Sequence, residues 1–315
     1  MTKIVLILAT VYLFANINAN AQDYAAVDQK VAALKMIDTL DVRTLGRYIG
    51  GKFTQPNEKV RAFYYWIANN IAFDLKAYTG DADPANEPGV VLKKRKGTSL
   101  GYANLFQEFC TANDIRCLKI DGYAKYSVFD LENPVTAINH TWNIVQLGKT
   151  PDKWQNVDVS WAAGTANIDM SKFTKRYTDA WFFTDKNVFS YTHFARIDEW
   201  RMANKTMKIK EFNKLPVIRE GYVKFGEAKF TPADGITKVK EGGKFIITIQ
   251  LTKASEITKV DLQLSDDKNA KKEPAIFTQK GNILTITIPN KEGDEIPVYV
   301  FLNDFFTLGY FVTFE

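Results

Sequence analysis

The chain has 315 residues and a formal net charge of +5, with two Cys and two His. This length is enough for two ordinary domains. The excess of positive charge is mild and scattered, and its densest run, residues 93–96, has the composition of a solvated loop, so we predict no nucleic-acid partner. Two Cys and two His cannot supply four zinc ligands without carboxylates, so we also predict no metal site, and we expect no cofactor.

Residues 1–21 have the pattern of a secretory signal peptide. Lys3 precedes an apolar run over residues 4–15, and a small-residue ending follows at residues 19–21. The run is shorter than the ~20 apolar residues that a membrane span needs, and no later stretch reaches that length. We therefore expect cleavage before Gln22 and an exported protein, periplasmic or extracellular, without a transmembrane segment.

The next part of the chain predicts helices. Residues 24–45 favour one or two helices, with Gly46 as a stop, and the spacing after Pro56 predicts a strong amphipathic helix. Residues 79–89 are rich in Pro, Gly and acidic side chains, which is typical of a loop. From Tyr102 onward apolar residues recur at helical spacing, so a further helix is expected there.

Ser99 stands at the start of this last helix. A helix N-terminus has backbone amides without intrahelical partners and favours negative charge, which suits an activated nucleophile. Ser is also among the best N-cap residues, and a cap needs no catalytic role. The residue type alone therefore leaves both interpretations open.

After the helix the pattern changes to three strands. They span residues 117–123, 140–147 and 156–161. The midpoint between His140 and Asp158 falls in the turn at residues 148–153, so antiparallel pairing of the last two strands would bring these side chains together. Val157 and Val159 point to the face opposite Asp158, so Asp158 need not be buried. Taken singly, each of the two polar residues is equally consistent with a structural role.

Three motifs occur in order along this part of the chain. They are Gly-Thr-Ser-Leu-Gly-Tyr-Ala at 97–103, His-Thr-Trp-Asn at 140–143 and Val-Asp-Val-Ser-Trp at 157–161. Together they resemble the transglutaminase-like superfamily, specifically the bacterial branch similar to kyphoscoliosis peptidase. Flanking matches at residues 66–74, at 193–194 and at Trp200 extend the resemblance over about residues 30–215.

The resemblance implies a papain-like core with a Cys-His-Asp triad, in which His140 is the base and Asp158 the orienting residue. Ser99 occupies the nucleophile position, where the family has Cys, and Cys110 lies on the buried face of the helix. A serine hydroxyl is far less acidic than a thiol, whose pKa is about 8.5, so it needs a well-aligned neutral His. The resemblance places a His at position 193 outside the triad, and we predict a structural role for His193.

Three functions are therefore open. The first, which we favour, is a pseudoenzyme that binds a peptide, a peptidoglycan-like glycan-peptide or a protein partner in the former active-site cleft. The second is a serine amidase or acyltransferase that uses Ser99, His140 and Asp158, with the Ser99 N–H in an oxyanion hole. The third is a structural or adhesive protein of the cell envelope.

Cys110 and Cys117 also leave two alternatives. In an oxidising compartment they could form a disulfide between the end of the helix and the next strand. Two buried thiols are equally consistent with the sequence.

From about Gly221 onward, apolar and polar residues alternate in the pattern that is typical of strands, and no helical pattern occurs. Their shared-face apolar residues are Phe245, Ile247, Ile249 and Leu251, then Val260, Leu262 and Leu264, then Leu284, Ile286 and Ile288. The spacing predicts roughly seven strands and an immunoglobulin-like β-sandwich, which also resembles the β-domain of bacterial family members. Its expected role is protein docking or spacing, and Pro216 marks the boundary.

We therefore predict an α+β fold in three parts. Residues 1–21 are the signal peptide, and residues 22–216 a transglutaminase-like domain of helices packed on an antiparallel sheet. Residues 217–315 are the all-β immunoglobulin-like sandwich.

Overall fold

The computed structural model describes residues 24–35, 40–84, 86–148, 153–167, 170–240, 242–252, 256–267, 270–289 and 295–315. The predicted signal peptide, residues 1–21, lies outside these ranges. Helix accounts for 31% and strand for 32% of the chain, so the predicted mixed class is confirmed. Within the described ranges no helix is long and apolar enough to cross a membrane.

The helices lie almost entirely in the first two thirds of the chain. They are α1 (Ala25–Ala32), α2 (Val42–Gly50), α3 (Pro56–Asn70), α4 (Leu75–Tyr78), α5 (Pro88–Lys94), α6 (Ser99–Thr111), α7 (Phe129–Glu132), α8 (Val159–Ala162), α9 (Lys186–Phe189), α10 (Ile209–Lys214) and α11 (Glu220–Phe225).

The strands continue to the end of the chain. They are β1 (Ala72–Phe73), β2 (Lys96–Gly97), β3 (Cys117–Ala124), β4 (His140–Gln146), β5 (Trp154–Val157), β6 (Gly164–Ala166), β7 (Phe173–Lys175), β8 (Phe182–Thr184), β9 (His193–Ala195), β10 (Val217–Ile218), β11 (Glu227–Thr231), β12 (Ile236–Val239), β13 (Phe245–Leu251), β14 (Val260–Gln263), β15 (Glu273–Pro274), β16 (Ile276–Lys280), β17 (Ile283–Ile288), β18 (Glu295–Leu302) and β19 (Phe305–Phe314).

A five-stranded antiparallel sheet carries the first part of the fold, in the order β8-β5-β4-β3-β9. Every residue of the central strand β4 is buried. Alternation along β4 places Val145 in the core beneath α3 and α6, whereas Trp142 and Ile144 pack into an aromatic cluster on the other face. Both faces of the sheet are therefore covered.

Helix α2 differs from the prediction at Gly46. The helix begins after Asp41, whose side chain accepts hydrogen bonds from the Arg43 and Thr44 amides, and it continues to Gly50. A Cβ on Gly46 would lie 3.1 Å from the Phe109 Cα, so this glycine lets α2 pack closely against α6. The expected helix stop at Gly46 is wrong.

The last part of the chain forms two sheets rich in antiparallel strands. One has the order β10-β19-β18-β14-β15, with β12 parallel to β19, and the other has the order β11-β13-β17-β16. The predicted inward residues of β13, β14 and β17 are buried in a shared core, with Leu264 packed against it. Helix α11 begins at Glu220, so the expectation of strands alone from about Gly221 is wrong.

Candidate functional site

Asp158 directly follows β5 and is the N-cap residue of α8. Strands β4 and β5 pair antiparallel as predicted, with Asn143 opposite Val157, but the third predicted strand stops at Val157. The Asp158 side chain accepts a hydrogen bond from the Trp161 amide, 3.1 Å away. Only 1% of Asp158 is exposed, so the expectation that it need not be buried is wrong. The capping geometry turns the carboxylate inward at the point where the strand alternation ends.

The structure brings His140 and Asp158 together. His140 begins β4, and its Nε2 lies 2.6 Å from Asp158 Oδ2. Both side chains are buried. A hydrogen bond of this length between an imidazole N–H and a carboxylate fixes the orientation of the ring.

The Asp158 carboxylate accepts four hydrogen bonds. Oδ1 accepts from the Ser160 hydroxyl at 2.7 Å and from the Trp161 amide, and Oδ2 accepts from His140 and from His193 Nε2 at 3.0 Å. Burial by itself would raise the pKa of Asp158, but the two imidazoles outweigh it and lower that pKa well below its usual range. The site therefore contains an ionised, fully bonded carboxylate.

His193 lies inside the site, in contact with the residue that is predicted to orient the base. Its ring stacks on Phe189 at 3.9 Å between centroids, and its Nδ1 lies 2.7 Å from the Thr192 hydroxyl. Burial lowers the pKa of His193 to about 4, although Asp158 acts in the opposite direction. The neutral ring therefore donates from Nε2 to Asp158, and its Nδ1 is an acceptor that faces the Thr192 hydroxyl, which also lies 3.0 Å from the Phe189 carbonyl oxygen as a donor.

The contact between His193 and Asp158 was not predicted from the sequence. The available signal was that the chain has only two His, and that the family resemblance covers both of them.

Tyr126 is the second residue of the site that sequence reasoning missed. Its hydroxyl lies 3.0 Å from His140 Nδ1 and 3.1 Å from the Asn139 carbonyl oxygen. Burial raises the pKa of Tyr126 well above its usual value, so the hydroxyl keeps its proton and can donate. Both ring nitrogens of His140 therefore have partners.

Ser99 is the first residue of α6 and is half-buried. Thr98, not Ser99, is the N-cap residue, so the N-cap interpretation of Ser99 is wrong. Among the residues that the structure describes, no hydrogen bond joins the Ser99 hydroxyl to His140 or Asp158. The structure thus unites two of the three predicted site residues and leaves the third at the end of a neighbouring helix.

Similarity to known proteins agrees with this arrangement. The model of the transglutaminase-like superfamily matches residues 43–159. Kyphoscoliosis peptidase from Mus musculus is 27% identical over 194 residues, which cover 61% of this chain and 29% of that protein. Hillarin from Drosophila melanogaster is 24% identical over 219 residues, which cover 65% of this chain and 26% of that protein. Residues 43–159 of the chain therefore form a domain similar to the transglutaminase-like superfamily.

The match to these relatives is partial, because the chain spans less than a third of the length of either one. A solved structure of a transglutaminase is 16% identical, with a TM-score of 0.28, over 46% of this chain and 34% of that one. We refer below to residues 43–159 as the transglutaminase-like core.

The strand-rich region contributes one residue to the surroundings of the site. Arg219 follows β10, and its guanidinium donates to the Lys125 carbonyl at 2.9 Å and to the Tyr126 carbonyl. The same group lies over the Trp161 ring, 4.3 Å from the centroid, and burial lowers the pKa of Arg219 to about 10. Arg219 therefore remains charged at neutral pH and contacts two residues that in turn contact His140.

The two cysteines of the transglutaminase-like core are free and buried. Burial raises the pKa of the Cys110 thiol well above its usual value, and Cys117 Sγ lies 3.5 Å from the Asn143 amide nitrogen. Of the two alternatives, buried thiols are the one observed.

His140, Asp158 and His193 together offer the donor types of a metal site. Their spacing differs from one, because His140 Nε2 stands only 2.6 Å from Asp158 Oδ2. Two ligands at ~2.0–2.1 Å from a tetrahedral zinc ion stand roughly 3.3 Å apart. These three groups have the separations of a hydrogen-bonded cluster.

Proposed function

We propose that this protein is an exported pseudoenzyme that binds a peptide, a peptidoglycan-like glycan-peptide or a protein partner at the former active site of its transglutaminase-like core. The observation that carries the proposal is the engagement of His140 on both sides, by Asp158 at Nε2 and by Tyr126 at Nδ1. Residue 99 is a serine with no hydrogen bond to either member of the described His140–Asp158 pair. Nothing in this arrangement activates the hydroxyl.

The chemistry of serine makes this arrangement costly for catalysis. A serine hydroxyl transfers its proton during attack, so it must lie against a free imidazole nitrogen. A misplacement of ~1 Å can cost on the order of 100-fold in rate. A preformed thiolate would tolerate the site better, but the chain has no cysteine at this position.

Exposed apolar side chains that neighbour Tyr126 or His140, in sequence or in space, support a peptide-like partner. Phe129 is 53% exposed, Ile138 43% and Tyr78 39%, and the Tyr78 ring lies 6.2 Å from that of Tyr126. Covering aromatic and aliphatic side chains of this kind with a partner is favourable, because apolar surface is removed from water. The strand-rich region, residues 217–315, is proposed to assist by docking a protein.

A serine amidase or acyltransferase is the second candidate. The observation that favours it is the 2.6 Å hydrogen bond between His140 and Asp158, which holds a base against its orienting carboxylate. Substrates would be amide bonds of protein-like chains, with Ser99 as the nucleophile.

One experiment separates the two candidates. The natural protein, Ser99→Ala and Ser99→Cys are incubated with an immobilised peptide library, and both retention and cleavage or amine transfer are measured. The proposal expects peptides to be retained equally by the natural protein and by Ser99→Ala, without turnover. Turnover in the natural protein that disappears in Ser99→Ala would establish a serine enzyme instead.

Export has its own test. The proposal expects the protein recovered outside the cytoplasm to begin at Gln22 when its N-terminus is sequenced. Recovery of the intact N-terminus from the cytoplasm alone would contradict it.

A further inference from the structure

A cavity lies beside His193, on the face of the five-stranded sheet that carries Trp142. His193 belongs both to the lining of this cavity and to the hydrogen-bonded cluster around Asp158. The cavity holds about 360 Å³ of empty space, part of which is open to solvent, and its enclosed part is narrow. A space of this shape favours a slender or flat group over a bulky one.

Asn156 is a buried polar residue of the cavity lining. It lies in β5, where strand alternation sends its side chain to the same face as Trp154 and away from Val157, which is in the core beneath the helices. Asn156 is only 4% exposed, and no described residue makes a hydrogen bond with its carboxamide. Buried carboxamides are normally hydrogen-bonded, because an unpaired polar group in the interior is unfavourable. The carboxamide of Asn156 is therefore available to a group that enters the cavity.

Lys186 adds a positive charge to the same lining. Asn156 pairs with Thr184 across β5 and β8, and Lys186 follows Thr184 by two positions, so the two side chains start from neighbouring points of the sheet. Lys186 is exposed, and within the described ranges no carboxylate forms an ion pair with it. The adjacent Asp185 instead caps α9 and accepts from two amides of that helix. An ammonium and an amide N–H2 group are both hydrogen-bond donors to a carboxylate.

Apolar side chains make up most of the remaining lining. They are the rings of Trp142, Phe189 and Trp200 and the thioether side chains of Met202 and Met207. Aromatic faces and methionine sulfur pack well against flat apolar groups. The lining therefore combines donors for an anion with walls for an apolar body.

Arg201 holds one wall of the cavity in place. It lies in the segment that follows β9, and its guanidinium donates to the Ala195 carbonyl at 2.9 Å and to the Met207 carbonyl at 3.1 Å. Asn204 Oδ1 also accepts a hydrogen bond from the Met207 amide at 3.2 Å. Both ends of the segment are thus tied down by side chains. A wall that is formed before a ligand enters lowers the cost of ordering it on binding.

We propose that this cavity is a second binding site, which takes a small carboxylate with a flat apolar body. The carboxylate accepts hydrogen bonds from Asn156 and Lys186, and the apolar body packs among the aromatic and methionine side chains. This site goes beyond the proposed function, which concerns a peptide-like partner at the former active site. Peptide binding there can fail while binding here stands, and the reverse also holds.

The test measures binding of 4-fluorobenzoate to the full chain by fluorine NMR. We expect saturable broadening of the fluorine signal, which excess unlabelled benzoate removes. Asn156→Leu keeps a similar volume and loses the carboxamide, so it should weaken binding by about tenfold or more, the usual effect of a lost hydrogen bond to a charged group. Lys186→Gln should weaken binding by about two- to fivefold, because an exposed charge is screened by solvent.

The matched control for Lys186→Gln is Lys229→Gln. Lys229 is also exposed but lies in β11 of the strand-rich region, outside the cavity lining, so this variant should bind the probe as the natural protein does. A second control is 4-fluorobenzamide, which has the same ring without the charge and should bind several-fold more weakly than 4-fluorobenzoate.

Three results would overturn the proposal. The first is a fluorine signal that does not saturate with the natural protein. The second is equal binding of 4-fluorobenzoate and 4-fluorobenzamide. The third is binding that is unchanged in Lys186→Gln, an exposed position whose substitution leaves the fold intact, so the proposal can fail even if circular dichroism shows that Asn156→Leu is unfolded.

Discussion

His193 Nε2 lies 3.0 Å from Asp158 Oδ2, the oxygen that also bonds His140. One buried carboxylate oxygen therefore accepts hydrogen bonds from two imidazoles. The Nδ1 atom of each ring faces a hydroxyl, that of Tyr126 for His140 and that of Thr192 for His193. Because the ionised carboxylate can only accept, it fixes both neutral rings as tautomers that carry their proton on Nε2. Removal of either imidazole takes away one of the hydrogen bonds that stabilise the buried charge of Asp158.

The first prediction concerns this link. His193→Phe keeps a flat ring next to Phe189 but removes the donor to Asp158, so the free energy of unfolding should fall by about 1.5–3 kcal/mol, the usual range for a hydrogen bond to a charged group. Urea denaturation measures the change. His193→Gln is the control, because its amide nitrogen can reach the position of Nε2, and we expect it to lose less. Equal losses in the two variants would show that packing, not the hydrogen bond, is what His193 provides.

The second prediction is a pH dependence of stability. The pKa of His193 is about 4 in the folded chain, against 6.5 for an unperturbed histidine, because burial disfavours the charged ring. Between pH 6.5 and pH 4 the unfolded chain binds a proton that the folded chain does not, so acid favours unfolding. The stability lost over this window should be on the order of 3 kcal/mol.

The control for this pH dependence is His193→Phe, in which other titrating groups remain. Its free energy of unfolding should vary less with pH across the same window. The contribution of Asp158 is separate, because the folded pKa of that carboxyl is lowered and its stabilisation is lost only as the pH falls below about 4. Identical slopes for the natural protein and His193→Phe would contradict the prediction.

Local sequence patterns predicted the parts of the site that lie on adjacent strands of one hairpin. The contact between His140 and Asp158 follows from the antiparallel pairing of β4 and β5, which a short window of sequence was enough to predict. Burial of Asp158 did not follow, because the Val157–Val159 alternation favoured a continued strand while the actual chain turns into a helix capped by Asp158. The capping signal and the strand signal overlap on the same residues.

Tyr126 and His193 could not be placed from local patterns. They come after β3 and at the start of β9, and both strands join the site through pairing over a long stretch of chain. The sheet order that makes β3 the neighbour of β4 and β9 is set by packing of the whole core, not by any one segment. The same holds for Arg219, which reaches the site from beyond β10.

The third prediction concerns Arg219. Arg219→Lys keeps the charge but loses the planar fork that bonds two carbonyls and covers Trp161. We expect the free energy of unfolding to fall by about 1–3 kcal/mol, since buried carbonyls are left without donors. Arg43→Lys is the matched control, because the Arg43 side chain is 59% exposed, its ion pair with Glu108 contributes at most about 1 kcal/mol, and lysine keeps the charge. Similar losses in both variants would argue against a role for Arg219 in holding the site.

The fourth prediction concerns metals. The 2.6 Å separation of His140 Nε2 and Asp158 Oδ2 is that of a hydrogen bond and is too short for two ligands of one ion. Treatment with a chelator such as EDTA should therefore leave the melting temperature and the imidazole nitrogen spectrum unchanged, and added zinc should not raise the melting temperature. A ligand that binds only the folded state at 100 times its Kd would stabilise it by about 2.7 kcal/mol, which a melting curve detects easily. A chelator-sensitive melting temperature that becomes insensitive in His193→Phe would instead assign these three residues to a metal and replace the hydrogen-bonded cluster.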